Sequence, residues 1–204
     1  MNPAITLAIT GASGSAYSLR LMEYLLKSGQ PLNLLISKPG QIVLGMETDL
    51  SLSSKPANIH RQLSEHYQLK DPSLLNVYGR DQWTAPIASG SGISRAMVVC
   101  PCTTGSLASI AIGHSRDLLE RAADVTIKEQ KKLILVIRET PLSAIHLEHM
   151  LKLAQIGVVI MPANPGFYLG VQKVGDLVDF MVARILDHLD IQHDLVPRWG
   201  MDPI

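Results

Sequence analysis

The chain has 204 residues, 47% of them hydrophobic, which suits one α/β domain (1–204) with a sizeable core rather than two domains. Its 18 Lys and Arg balance 18 Asp and Glu, so no net field draws it to nucleic acid or an anionic membrane, and a small ligand is expected. No apolar run approaches the ~20 residues of a membrane span and no signal-peptide pattern opens the chain, which predicts a cytoplasmic protein.

Residues 5–15, ITLAITGASGS, read as a buried strand, a small glycine-bearing turn and a helix start, with the helix running over 16–27. Gly11 and Gly14 allow a sharp turn, and Ser13 and Ser15 offer hydroxyls beside the first N–H groups of the helix, so an anion is the expected guest. The turn lacks full G-x-G-x-x-G spacing. A second buried strand follows at 32–36, and Ser37 and Lys38 stand where a dinucleotide site would place an acidic residue for the ribose, which argues against NAD and for a phosphate. Residues 41–49 read as a short helix carrying Glu47; 50–78 give a polar loop, a helix near 59–66 and a short strand at 76–78. Residues 83–94 are rich in Pro, Gly and Ser and predict a long loop that covers a site or builds a subunit contact.

The next buried strand, 96–100, runs through Pro101-Cys102-Thr103-Thr104-Gly105-Ser106 into a helix ending near Gly113. Cys100 and Cys102 stand too close for a mutual disulfide and supply half a zinc site at best, so they read as small buried hydrophobes. An amphipathic helix at 117–130, a strand at 133–137, a helix at 143–155, a strand at 158–161 and a helix at 175–189 complete the pattern. His146, Glu148 and His149 lack the H-E-x-x-H spacing, so no metal site is expected there. Apolar strands alternating with helices predict a doubly wound parallel sheet, flavodoxin-like and Rossmann-type, whose ligands bind beyond the carboxyl ends of the strands. Ser13, Ser37, Thr103 with Thr104, Arg138 with Glu139, and Tyr168 all fall at such ends.

TGASGS at 10–15, ISK at 36–38, ETD at 47–49, CPCTTG at 100–105, LLERAADVTIKE at 118–129, RETPLS at 138–143 and PANPGFY at 162–168 resemble the UbiX-type flavin prenyltransferases. VARIL at 182–186 and PRWG at 197–200 extend the match, while 50–78 carries no family motif. The resemblance implies transfer of a dimethylallyl group from dimethylallyl phosphate to reduced flavin mononucleotide (FMN), with no metal. It implies a homo-oligomer, a dodecamer with sites at subunit junctions, and a product passed to a UbiD-type decarboxylase in ubiquinone biosynthesis or a related pathway. By the same resemblance Gly11, Ala12, Ser13, Ser37, Cys102, Thr103, Thr104, Gly105 and Arg138 hold the flavin. Arg121, Lys128, Tyr168 and Arg184 surround the prenyl phosphate, Trp83 and Trp199 supply aromatic walls, and Ser13, Glu47, Glu139 and Lys128 are the catalytic set.

The residue types suit that chemistry. No Asp-Asp-x-x-Asp is present to hold magnesium against a diphosphate, whereas Lys and Arg can neutralise a departing monophosphate. Aromatic faces shelter an allylic cation, and closing a ring on the flavin requires positioned acid and base groups. Two other readings stay open: an FMN-dependent decarboxylase of the cysteine-decarboxylase type, which has no use for Lys128, Tyr168 and Arg184, and a flavin-binding module without chemistry. Aromatics at 4% and a mean hydropathy of +0.18 independently favour an oligomer.

Overall fold

The computed structural model describes residues 3–198 and residue 200. Six strands form one parallel sheet: β1 (Ile5–Ile9), β2 (Leu32–Ile36), β3 (Leu75–Tyr78), β4 (Ala96–Cys102), β5 (Lys132–Ile137) and β6 (Val159–Pro162). Their spatial order is β3-β2-β1-β4-β5-β6. Without the edge strand β3 this is the flavodoxin order; with it, the Rossmann order. β1 is central, Ile5 pairing with Leu32 on one side and Ala96 on the other, and all five of its residues are buried. A strand covered on both faces needs no polar alternation, which is why ITLAI reads as a continuous apolar run.

The helices are α1 (Ser15–Lys27), α2 (Lys38–Glu47), α3 (Pro56–His66), α4 (Thr104–Ala111), α5 (Leu118–Lys128), α6 (Ala144–Gln155) and α7 (Val174–His188). Ile5, Leu7, Leu34, Val98 and Val136 face a core shared with α1, α2, α3 and α7. Ala8, Leu35, Met97, Val99 and Leu135 face the other core, with α4, α5 and α6. Among the described residues no helix is long and apolar enough to cross a membrane.

Local chemistry starts most of these helices. Thr103, Asp117 and Ser143 each accept the N–H three residues on, capping α4, α5 and α6. Ser37 caps α2 by accepting the Gly40 N–H. That helix begins at Lys38 rather than Gln41, because the Ser37 cap and Pro39 in its first turn set the start. The sequence reading of β4 is likewise too short, for pairing continues to Cys102.

The segment 83–94 is no free loop. It folds into two short 3-10 turns, Pro86–Ala88 and Gly90–Gly92, with Ala85, Ile87 and Ser94 buried. Arg121 Nε on α5 donates to the Ala88 carbonyl at 3.1 Å. Below it, Ser94 Oγ lies 2.8 Å from Thr6 Oγ1 and accepts from Asn33 Nδ2 at 3.0 Å, and Asn33 accepts in turn from Asn76.

Candidate active site

The chain reverses direction across the sheet between β1 and β4, and their carboxyl ends open the crevice where ligands of such sheets bind. One wall is the turn after β1. Gly11 must be glycine because a Cβ there would meet Pro39 Cβ at 2.4 Å, which lets α2 close down on the turn. Gly14 has φ 116°, a left-handed value that disfavours a side chain. Thr10 ties this wall to the next: its hydroxyl donates to the Pro101 carbonyl at 2.6 Å and accepts from the Thr103 N–H at 2.9 Å.

Both ends of α2 touch the β1 turn, so this helix lies over the rim. At its start the Ser37 N–H donates to the Ile9 carbonyl at 2.9 Å. At its end Glu47 reaches α1, accepting the Gly14 N–H at 3.0 Å and the Ser15 N–H at 2.8 Å on Oε2. Here the sequence expectation needs correcting: the anion at the start of α1 is the chain's own carboxylate. Helix α1 has no side-chain cap of its own, and Glu47 serves instead. Burial raises the Glu47 pKa, but the Ser13 hydroxyl and the Ser15 and Gly14 N–H groups together hold it below the usual glutamate value.

The opposite wall is the start of α4. The first N–H groups of a helix have no acceptor within it, and Thr104 and Gly105 present theirs at this crevice, Gly105 being exposed. Cys102 contributes only backbone: its side chain is fully buried in the core, where burial pushes the thiol up to about 12. Ala12 is similarly buried. Arg138, at the end of β5, spans the crevice, its N–H on the Cys102 carbonyl and its Nε on the Ser13 carbonyl at 3.2 Å. Glu139 follows it, exposed at the rim, its Oε1 accepting the Thr140 N–H. The N–H groups at the start of α4, the Ser37 hydroxyl and one guanidinium make a donor set that fits a planar, phosphate-bearing ligand such as FMN.

The residues assigned to the prenyl phosphate do not gather at this crevice within one chain. Tyr168 and Arg184 do meet, in a separate cavity of about 330 Å³ on the outer side of α7 that Phe180, Asp187, His193 and Arg198 also line. The Tyr168 and Phe180 rings pack edge to face at 5.9 Å. Arg121 lies apart on α5, bound to Ala88 and, at 2.8 Å, to Asp124. Lys128 ends α5, four residues before β5 begins, at the amino end of the sheet and hence opposite the rim, where it pairs with Glu129. Trp83 is exposed beyond the edge strand β3, and Trp199 lies outside the described residues. Sequence reading gave no role to Asp187, His193 or to Arg198 of the PRWG stretch, which meet only when the tail folds back on α7.

With this geometry in view, the chain matches the Flavoprotein family over residues 1–186. It is 52% identical over 196 residues to flavin prenyltransferase UbiX of Pseudomonas aeruginosa, covering 96% of this chain and 93% of that protein. The crystal structure of AnUbiX (PadA1) with FMN and dimethylallyl pyrophosphate superposes with a TM-score of 0.87 at 33% identity, covering all of both chains. A dodecameric FMN-dependent UbiX-like decarboxylase from Escherichia coli O157:H7 gives 0.85 at 34% identity, covering 97% of this chain and 99% of that one.

Proposed function

The chain belongs to the UbiX-type flavin prenyltransferases of the Flavoprotein family, and on that premise we propose how its own residues divide the work. In this reading the enzyme joins the dimethylallyl group of dimethylallyl monophosphate to N5 and C6 of reduced FMN, supported by relatives named flavin prenyltransferases and by a neighbour that binds FMN and dimethylallyl pyrophosphate. Its product serves a UbiD-type decarboxylase, in ubiquinone biosynthesis or a related pathway, and the enzyme works in the cytoplasm.

Reduced FMN, when bound, supplies the nucleophilic nitrogen and ring carbon. The Thr104 and Gly105 N–H groups, Ser13, Ser37 and Arg138 bind and orient it in the switch-point crevice. Glu47, held ionised, accepts a proton there with Ser13 as its relay; Glu139 passes a proton at the far wall. Arg184 and Tyr168 grip the prenyl phosphate, and Lys128 and Arg121 add positive charge as the phosphate departs. Trp83 and Trp199 shield the allylic group from water.

Because one chain keeps Lys128, Arg121 and the α7 cavity away from the crevice, neighbouring copies complete each site in a homo-oligomer, proposed to be a dodecamer. The observation that carries the reading is the meeting of Tyr168 and Arg184 in one cavity, which Arg198 also lines.

Anaerobic incubation with reduced FMN and dimethylallyl monophosphate, followed by mass measurement of the flavin, tests it. The flavin should gain one dimethylallyl unit, and a parallel run with the pyrophosphate should react more slowly. An unchanged flavin mass with both donors would overturn the assignment.

A further inference from the structure

We propose that Arg198 is a second arm of the phosphate grip and that Asp187 is the positioning residue that holds both arms, an inference that rests on the prenyltransferase reading. Asp187 lies one turn after Arg184 on α7 and is largely shielded, with 23% of its side chain exposed. Its Oδ2 accepts from Arg184 Nη1 at 2.8 Å, while Oδ1 is 3.4 Å from Arg198 Nη2 and 3.1 Å from His193 Nε2. The two guanidinium-bearing side chains stay half exposed, at 51% and 52%, and both line the cavity with Tyr168. One carboxylate cannot neutralise two arginines, so the cavity keeps a net positive charge for a phosphate to meet.

His193 holds Asp187 from the tail. Its side chain is only 2% exposed, and its buried Nδ1 has no partner. A ring buried at that cost fixes the carboxylate's direction and with it the spread of the two arginines.

The test measures donor and flavin separately. Arg198→Ala should raise KM for dimethylallyl monophosphate roughly 10-fold to 100-fold, the worth of one charge-assisted hydrogen bond, with FMN affinity and thermal midpoint unchanged. Arg198→Lys should recover part of that loss. Calorimetric titration of dimethylallyl monophosphate into the oxidised FMN complex should show the same weakening without turnover. Asp187→Asn should weaken donor binding too, and combining it with Arg198→Ala should cost less than the product of the two effects, because Asp187 acts through the arginines.

Wild-type KM in Arg198→Ala, fully multiplicative effects in the double variant, or a fallen thermal midpoint with unchanged donor binding would each overturn the inference. A wild-type protein that never prenylates flavin would instead remove the reading beneath it.

Discussion

The carboxylate of Glu47 takes the helix-start N–H groups that the glycine turn offers, and this decides what Glu47 can do. A glutamate whose folded pKa lies below its unfolded one stabilises the fold fully above the unfolded value and loses that contribution as pH falls through the folded value. Burial works against ionisation, yet Ser13, Ser15 and Gly14 outweigh it, so Glu47 is charged at neutral pH and suited to accept a proton. Glu47→Gln should therefore be less stable than wild type at neutral pH, with the gap closing in acid below the ordinary glutamate range; denaturant titrations at both pH values check this. Its rate should fall by ~10²-fold to 10⁴-fold, the usual worth of a general acid or base. Arg184→Ala separates the other half of the chemistry. Prenylation should be lost while FMN remains bound, because the cavity of Arg184 shares no lining residue with the switch-point turn; loss of flavin in step with activity in single-turnover spectra would contradict the assigned role.

At the scale of elements, the segment 83–94 owes its order to the buried side chains of Ala85 and Ile87, to Arg121 on the Ala88 carbonyl and to a buried polar cluster at Ser94. Ser94 Oγ meets both Thr6 and Asn33, all three residues being buried. Ser94→Ala strands two polar partners without a substitute, which should cost about 1–3 kcal/mol by denaturant unfolding, whereas Ser91→Ala, on an exposed turn, should cost almost nothing. Such pairing was invisible in the sequence, where Pro, Gly and Ser announce a loop but not what holds it. β1, β2 and β4 were legible as apolar runs beside Gly, Pro or Ser, β5 as the run 133–137 between charged residues, and α5 because Leu118, Leu119, Ala122 and Val125 recur at helical spacing. The start of α2 was missed because Lys38-Pro39-Gly40 reads as a breaker. Only the approach of Gly40 to the Ile9 carbonyl, where a Cβ would sit 2.7 Å from the oxygen, shows why glycine belongs inside that helix.

For the whole molecule, the family resemblance proposed site residues by motif but could not say which chain would deliver each to which site. Ser13, Ser37, Thr104 and Arg138 converge because one parallel sheet brings its strand ends to one rim. Lys128 belongs to the opposite end, and Arg184 to the outer side of α7. Helix α6 meanwhile exposes Ile145, Leu147 and Leu151 by 64%, 52% and 60%, apolar surface of the kind that assembly removes from water. If separate copies supply Lys128 and Arg184 to a shared site, two damaged chains can repair one another. Lys128→Ala and Arg184→Ala should each be inactive as pure oligomers. Co-expressed and purified as mixed oligomers, they should regain activity, since some junctions receive an intact Lys128 from one chain and an intact Arg184 from another. A control pairing Arg184→Ala with Tyr168→Ala should regain none, because these two line the same cavity of the same chain and no junction then receives both intact. Equal recovery in the two mixtures, or none in either, would mean that Lys128 and Arg184 do not serve a site built from different chains.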